Sequence, residues 1–98
     1  MIRIRWTEQA TANLESIKSF IAKDSPTYAR AVVSRLYDSV MQLREFPDLG
    51  RVVPEPGRVE IRELVRPPYR IVYRRRQDVA EVLLVFRSSL PLPDIEAG

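Results

Sequence analysis

EIRELVRPPYRIVYRRRQDVAEVLLVF, residues 60–86, is the stretch that decides the fold of this chain. It holds three runs rich in β-branched and aromatic residues, at 60–66, 69–76 and 79–86. Two prolines separate the first run from the second, and two polar residues separate the second from the third. Because such short breaks between strand-like runs indicate tight turns, the stretch predicts an antiparallel meander of three strands.

The middle run alternates in chemistry, because successive side chains of a strand leave opposite faces of a sheet. One face would carry Tyr69, Ile71, Tyr73 and Arg75, and the other Arg70, Val72, Arg74 and Arg76. The third run is apolar at nearly every position, which is typical of a strand covered on much of both faces. We therefore expect a sheet with one apolar face under helices and an arginine-rich face and open edge opposite.

The sequence before the meander predicts a further strand and a first helix. Residues 2–6 alternate apolar and basic side chains, which is the period of a half-buried strand, and this strand should join the sheet. Thr7 is a suitable N-cap, and the apolar residues that follow it are spaced as on one face of a helix. We expect this amphipathic helix over about residues 8–22.

A second helix is predicted over about residues 26–45. Ser25 is a good N-cap, and Pro26 is tolerated at the first helical position because its missing N–H would have no partner there. The longest apolar stripe of the chain lies on this helix, and it is expected to pack on the sheet through Leu36, Val40 and Leu43. Two helices joined by a few residues should lie antiparallel. The predicted fold class is therefore α+β, with a helix hairpin on one face of a small, mostly antiparallel sheet.

Three segments outside these elements carry loop or tail signals. Residues 46–51 should end the second helix, because Pro47 disfavours helical geometry in the residue before it and Gly50 permits a positive φ. Residues 52–58 contain two prolines and a glycine, and they predict a loop with room for a short extended piece. Residues 88–98 carry two prolines and two acids, and they predict a loosely packed tail.

Length and composition restrict the chemistry that the chain can perform. At 98 residues it is expected to form one domain, which can bury roughly 60–70% of the surface of its unfolded chain. With no cysteine and no histidine it lacks thiolate ligands, the commonest metal ligand and the usual general base. We therefore expect no metal and no cofactor. No apolar run approaches a membrane span and no export signal is evident, so the expected location is the cytoplasm.

The basic residues are concentrated on the sheet half of the chain. The net charge is +3, and 14 of the 16 basic residues are arginine, the side chain suited to planar contacts with carboxylate or phosphate. Any single arginine is best explained as solubilising surface. Arginines clustered on three strands instead favour a binding partner, and nucleic acid, the ribosome and an acidic protein segment are all compatible with them.

Several short motifs together resemble a known family. They are Trp6 with the Ala10/Leu14/Ile17 helix, Asp24-x-Pro26-x-x-Ala29, Phe46-Pro47-x-x-Gly50-Arg51, Arg62-Glu63-Leu64, Tyr69-Arg70-Ile71-Val72-Tyr73-Arg74 and Val82-Leu83-Leu84-Val85-Phe86-Arg87. In order and spacing they resemble the ParE/RelE superfamily of toxins of bacterial type II toxin–antitoxin systems, within it the ParE-like, plasmid-stabilisation branch. The resemblance covers residues 2 to about 87, and we expect residues 1–87 to form one toxin domain followed by a tail at 88–98.

The resemblance implies a small cytosolic growth inhibitor that a cognate antitoxin neutralises by wrapping over it. The expected assembly is a hetero-oligomer with that antitoxin, and no membrane partner is implied. Two targets remain open on this basis. RelE-like members cleave mRNA in the ribosomal A site, whereas ParE-like members poison DNA gyrase.

Three departures from the RelE-like pattern favour gyrase. The resemblance places the two lysines of the ribonucleases at Ile61 and Glu63, so both cations are missing. The common histidine at the end of the last strand is Arg87, and the tail offers no tyrosine. The favoured interpretation is an inhibitor that binds gyrase and has no catalytic residues of its own.

The alternative is a ribosome-dependent mRNA endonuclease with Arg70 as the principal phosphate ligand. Such a reaction needs a base, an acid and cations for the phosphate. Without histidine, the base would be Tyr69, Tyr73, Glu60 or Glu63. Core packing is the better explanation of the tyrosines, and cross-strand pairing with arginines the better explanation of the acids. A non-toxic module that binds nucleic acid is a third possibility. Under each interpretation the residues expected to contact the target or the antitoxin are Arg58, Arg62, Arg70, Arg74, Arg76 and Arg87.

Overall fold

The computed structural model describes residues 1–54 and 58–95. The elements in chain order are β1 (Arg3–Trp6), α1 (Glu8–Ala22), α2 (Pro26–Met41), a 3-10 turn (Gln42–Arg44), β2 (Arg51–Val52), β3 (Ile61–Arg66), β4 (Tyr69–Arg75) and β5 (Val79–Arg87). The α+β fold class is thereby confirmed. Residues 55–57 of the loop predicted at 52–58 lie outside the described residues, and so do residues 96–98 at the end of the predicted tail.

The sheet has five strands in the order β1-β5-β4-β3-β2. The meander of β3, β4 and β5 is antiparallel, as predicted. β1 joins the sheet by pairing with β5 in parallel, because the chain returns to the sheet after crossing through the two helices. The two-residue β2 pairs with β3 and adds a fifth strand that the meander prediction did not contain.

A bulge in the pairing of β5 with β4 changes the face of the sheet to which the β5 side chains point. Val72 pairs with Leu84 and Tyr73 pairs with Val82, so Leu83 is an extra residue in the ladder. Because of this shift, Val82 packs in the cluster under the helices and Leu84 packs in the cluster on the opposite face. The prediction that β5 is covered on much of both faces is confirmed.

Both helices begin with the caps that the sequence indicates. The Thr7 Oγ1 accepts a hydrogen bond from the Ala10 N–H at 3.1 Å, and the Ser25 Oγ accepts one from the Tyr28 N–H at 3.1 Å. The first helix has the predicted bounds. The second helix was predicted to end at about residue 45. Its α-helical part ends at Met41, and the 3-10 turn Gln42–Arg44 takes up most of the remaining residues.

The main core lies between the helices and one face of the sheet. Leu36, Val40 and Leu43 are all at most 1% exposed, which confirms their predicted burial. From the sheet, buried side chains of alternate β4 positions enter the same cluster, namely Tyr69, Ile71 and Tyr73. The helix side of the sheet is therefore sealed by apolar packing.

The opposite face of the sheet, called the open face below, differs from the predicted arginine-rich surface. It carries a second apolar cluster, which comprises Val53, Ile61, Val72, Leu84 and Phe86. Leu92 and Ile95 of the segment after β5 pack against this cluster. Part of the predicted loose tail therefore covers the sheet. None of the helices within residues 1–54 and 58–95 is long and apolar enough to cross a bilayer.

Candidate functional site

The six arginines singled out in the sequence do not form one site. Directly paired residues on neighbouring strands share a face of the sheet. Arg62 pairs with the core residue Tyr73, so it lies on the helix side. Arg87 pairs with Tyr69 and lies on that side as well. The open face holds Arg70 and Arg74 of β4, and Arg76, directly after β4, approaches Glu81 on that face. Arg58 precedes β3.

Arg70 is engaged with a buried carboxylate on the open face. The Glu63 side chain is 0% exposed, and it accepts hydrogen bonds from the Arg70 Nε at 2.5 Å and the Arg51 Nε at 2.7 Å. The Arg70 guanidinium lies over the Phe86 ring, 5.1 Å from its centroid, and its side chain is only 12% exposed. The prediction that Glu63 is a cross-strand partner of arginine is confirmed, since Arg51 is its direct neighbour on β2.

Glu81 gathers three arginines at the other end of the open face. Arg5 is its neighbour on β1 and forms an ion pair with it, while Arg74 and Arg76 approach it at 3.7 and 4.0 Å. Arg74 is nearly buried, but Arg5 and Arg76 are 63% and 52% exposed. Three arginines share the Glu81 carboxylate here, and two of them, Arg5 and Arg76, keep much of their surface exposed.

This Glu81 cluster lines a groove of about 700 Å³. Leu84, Phe86 and Ile95 form its apolar wall, and Asp94 lines it as well. Its volume falls in the range of about 300–1,000 Å³ that is usual for ligand sites. Arg5 is not among the arginines predicted as contacts, although the alternation at residues 2–6 and the predicted place of that strand in the sheet contained the necessary signal.

Arg62 holds the loop between α2 and β2. Its Nη1 donates to the Gly50 carbonyl at 2.8 Å, and its Nε lies 3.8 Å from the Asp48 carboxylate. Arg75 donates to the same carboxylate at 3.1 Å. These contacts explain Arg62 as a residue that fixes the loop conformation.

Tyr73 fixes the same loop from inside the core. Its hydroxyl donates to the Pro47 carbonyl at 2.9 Å and accepts from the Gly50 N–H at 3.0 Å. Burial raises the pKa of the Tyr73 phenol above its ordinary value of 10.0. The phenol is therefore protonated near neutral pH and unsuited to act as a general base.

Gly50 is required by close packing. A Cβ at this position would lie 2.6 Å from the Glu63 carbonyl oxygen and 2.7 Å from a ring carbon of Tyr73. Its φ lies outside the left-handed region, so the freedom of glycine to adopt a positive φ is not used here. The chain passes so close to the β3 backbone that a side chain has no room.

The two remaining candidate arginines lie apart from these clusters. Arg58 pairs with Glu60 at 2.7 Å and is 44% exposed. Arg87 is exposed and lies over the Tyr69 ring, 5.9 Å from its centroid. Glu60 does pair with an arginine, but Arg58 lies two residues away along the chain, so the predicted cross-strand pairing of Glu60 is wrong.

The arrangement is suited to binding rather than proton transfer. Glu63 is buried and paired, Glu60 is paired, and Tyr69 and Tyr73 are buried in the core. Within residues 1–54 and 58–95, no three acidic side chains come together as a possible metal site. Exposed arginines on the open face include Arg5, Arg51 and Arg76.

Comparisons of the sequence place it among known toxins. The family model described as ParE toxin of type II toxin-antitoxin system, parDE, matches residues 4–89. The Sinorhizobium fredii protein named "Putative toxin Y4kP" is 42% identical over 96 residues, which cover 95% of each chain. The Caulobacter vibrioides protein named "Toxin RelE2" is 36% identical over 74 residues, which cover 74% of this chain and 80% of that protein.

Solved structures share the fold. A chain of the chromosomal ParDE TA system from P. aeruginosa matches with a TM-score of 0.72 and 23% identity, covering 89% of this chain and 96% of that one. A chain of the RelBE2 toxin-antitoxin complex from Mycobacterium tuberculosis matches with a TM-score of 0.58 and 21% identity, covering 88% and 96%. At these identities the likeness concerns the fold alone.

Proposed function

The chain belongs to the ParE toxin family of type II toxin–antitoxin systems, and from this premise we propose that it inhibits growth by binding and poisoning DNA gyrase. The proposal assigns the inhibition to binding, with no catalytic residue in the chain. The predicted cytoplasmic location is part of the same proposal, because gyrase acts on the chromosome and on plasmids.

One observation carries the choice between the two toxin mechanisms. The resemblance places the lysines of the ribonuclease branch at Ile61 and Glu63. Ile61 is fully buried in the open-face cluster, and Glu63 is buried against two arginines. A carboxylate that holds Arg70 competes with any phosphate for the same guanidinium, which argues against Arg70 as a phosphate ligand. The positions that would supply catalytic cations are thus used to stabilise the sheet.

The partner in the same proposal is a cognate antitoxin. The two solved relatives are described as parts of toxin–antitoxin systems, which supports a protein partner of this kind. An antitoxin with acidic residues would be attracted by the exposed arginines, and its association rate should fall as the salt concentration rises. Of the arginines predicted as contacts, Arg76 on the open face and Arg58 and Arg87 outside it are the more exposed.

The test is a supercoiling assay with purified gyrase, ATP and plasmid. Added toxin should cause cleaved or unsupercoiled plasmid to accumulate, and cells that express it should filament and mount a DNA-damage response while translation continues at first. The Arg76→Glu variant should act more weakly. Arg35→Glu changes an exposed charge on α2 and serves as the matched control, which should act like the parent.

The ribosome-dependent endonuclease remains the second candidate, because one relative carries the name RelE2. Under that function translation should stop first, and messages bound to ribosomes should be cut at codons. Robust cleavage of ribosome-bound mRNA, with supercoiling unaffected by excess toxin, would overturn the gyrase proposal and assign Arg70 a catalytic role. Loss of a catalytic acid or base typically costs about 10²–10⁴-fold in rate, so we expect no such cleavage.

A further inference from the structure

We propose that Arg66 and Arg87 form a binding site for the backbone phosphates of double-stranded DNA, at the end of the sheet where β3 turns into β4. The site lies on the helix side of the sheet, apart from the arginines around Glu63 and Glu81. The inference rests on the proposed function in one respect, because a toxin bound to gyrase lies beside the DNA that gyrase holds. The evidence is the register of three strands and the contacts of the two guanidinium groups.

The pairing of the strands brings the two arginines to the same level of the sheet. Tyr69 pairs with Arg66 on one side and with Arg87 on the other, so the three side chains form a row on one face. Neighbouring strands lie about 4.8 Å apart, which separates the backbones of Arg66 and Arg87 by roughly 10 Å. Each strand of DNA carries one phosphate per about 3.4 Å of helix axis, so the two arginines can contact phosphates of the same DNA strand.

A buried serine of α2 holds the Arg66 guanidinium in place. The Arg66 Nε donates to the Ser39 Oγ at 3.1 Å, and the Arg66 Nη1 donates to the Val65 carbonyl at 2.9 Å. Ser39 is 7% exposed and donates its own hydroxyl to the Arg35 carbonyl at 3.0 Å, so its oxygen is oriented to accept from Arg66. Within residues 1–54 and 58–95 the Arg66 Nη2 forms no hydrogen bond, and its donors can serve an external oxyanion.

Arg87 approaches the same row from β5. This exposed residue places its guanidinium over the Tyr69 ring, 5.9 Å from the ring centroid. Ser88, the next residue, donates to the Pro68 carbonyl from its N–H at 2.8 Å and from its hydroxyl at 2.9 Å. These bonds tie the end of β5 to the turn between β3 and β4. The two arginines are therefore held on either side of Tyr69.

The charges of this row distinguish it from the neighbouring arginines of β3 and β2. Arg62 and Arg51 approach carboxylates, whereas neither Arg66 nor Arg87 forms an ion pair in the part of the chain that the structure describes. Tyr69 between them is 5% exposed, so the row presents two cations and little apolar surface. Tight protein interfaces depend on buried apolar anchors, whereas phosphate contacts depend on charge and hydrogen bonds. The row is therefore better suited to a nucleic-acid backbone than to a protein segment.

The experiment measures binding of a short fluorescein-labelled DNA duplex to the full-length chain by fluorescence anisotropy, over a salt series from about 50 to about 200 mM. The parent should bind with a Kd on the order of 10⁻⁴–10⁻⁶ M, and a second duplex of unrelated sequence should bind alike. Arg66→Gln and Arg87→Gln should each weaken binding by about fivefold. Each should also reduce the slope of log K against log salt concentration by about 0.9, because each removes one phosphate contact.

Arg3→Gln is the matched control. It removes the same charge from a side chain that is 79% exposed, at the opposite end of the sheet where β1 pairs with the start of β5. This variant should keep the parental affinity and the parental salt slope. If Arg66→Gln does not fold by circular dichroism because Ser39 loses its partner, the exposed Arg87 carries the test through Arg87→Gln alone.

Three results would overturn the proposal. The first is parental affinity and salt slope in folded variants at Arg66 and Arg87. The second is an equal loss in the Arg3→Gln control, because binding would then follow the net charge of the chain. The third is displacement of the duplex by inorganic phosphate far beyond that by chloride at equal ionic strength, because the site would then take a single phosphate group.

These assays contain no gyrase, so the two proposals fail separately. If the chain poisons gyrase but does not bind the duplex through Arg66 and Arg87, only this inference is wrong. If it binds the duplex as expected but leaves gyrase unaffected, only the proposed function is wrong.

Discussion

The two faces of the sheet are stabilised by different kinds of interaction. The helix side is an apolar core in which Leu36 and Val40 pack against Ile71 and Val82. The open face places two carboxylates between arginines, and a short segment covers the apolar cluster beside them. The helix side thus depends on packing by two long helices, whereas the open face depends on charge pairing and a thin cover.

A second difference lies within the open face itself. Glu63 has no exposure and is bonded to arginine at 2.5–2.7 Å, while Glu81 is 14% exposed and two of its arginines stand 3.7–4.0 Å away. Glu63 thus forms a tight cluster with two arginines, and Glu81 forms a looser cluster with three. In both clusters the arginine of β4 is nearly buried, at 12% exposure for Arg70 and 6% for Arg74, whereas Arg51 on β2 and Arg5 on β1 are 65% and 63% exposed. The comparison teaches that the strand on which an arginine lies, more than the carboxylate it shares, decides its availability to a partner.

The largest effect is expected from a variant that breaks the tight cluster around Glu63. Glu63→Ala removes the carboxylate shared by Arg51 and the poorly exposed Arg70, and losing one member of a buried ion pair costs about 3–5 kcal/mol. Arg76→Ala in the loose cluster, an exposed contact, should cost less than about 1 kcal/mol. Urea unfolding of both variants measures the difference. Equal losses would show that the two carboxylates hold their arginines alike.

A second comparison sets the packing of the two faces against each other. Leu36→Ala empties a site that is 1% exposed and should cost roughly 2–5 kcal/mol, enough to unfold a marginal small domain. Leu92→Ala, on the half-buried cover of the open face, should lower the free energy of unfolding much less. Thermal melts provide the measurement. A Leu36→Ala melt that matches the parent would contradict the assignment of the main core.

A smaller effect is expected at the hydroxyl of Tyr73. Tyr73→Phe leaves the Gly50 N–H and the Pro47 carbonyl without their buried partner, which should cost about 1–3 kcal/mol. Tyr28→Phe, at a 57% exposed position, is the matched control and should leave stability unchanged. Equal unfolding midpoints for the two variants would mean that the hydroxyl does not hold the loop.

The last effect should appear only in alkaline solution. Because burial raises the pKa of Tyr73 above 10.0, the unfolded chain releases this proton at a lower pH than the folded one does. The contribution of the Tyr73 phenol to the free energy of unfolding is therefore complete below pH 10, and it is lost as the pH rises through the folded-state pKa. Unfolding free energies measured from pH 8 to 11 should fall more steeply for the parent than for Tyr73→Phe. Parallel curves would contradict the raised pKa.

Local sequence patterns predicted both helices and four of the five strands. These patterns are the caps at Thr7 and Ser25, the helical spacing of the apolar residues, and the two breaks of the meander. Each depends on residues a few positions apart, so it can be recognised without knowing the fold. The same patterns predicted that Tyr69 and Tyr73 are core residues and that Glu63 pairs with arginine. The family resemblance rested on the same motifs, and the family match confirms it.

Only the tertiary structure decided which arginines remain accessible. The pairing of β1 with β5 brings Arg5 to Glu81, and the pairing of β2 with β3 brings Arg51 to Glu63, although each pair is far apart in sequence. The tertiary structure also shows that Gly50 is needed for close approach to β3 and that Leu92 and Ile95 cover part of the open face. The alternation along a strand assigns a side chain to one face of the sheet. Its burial and its ion pairs depend on residues that are distant in sequence and become neighbours only in the folded chain.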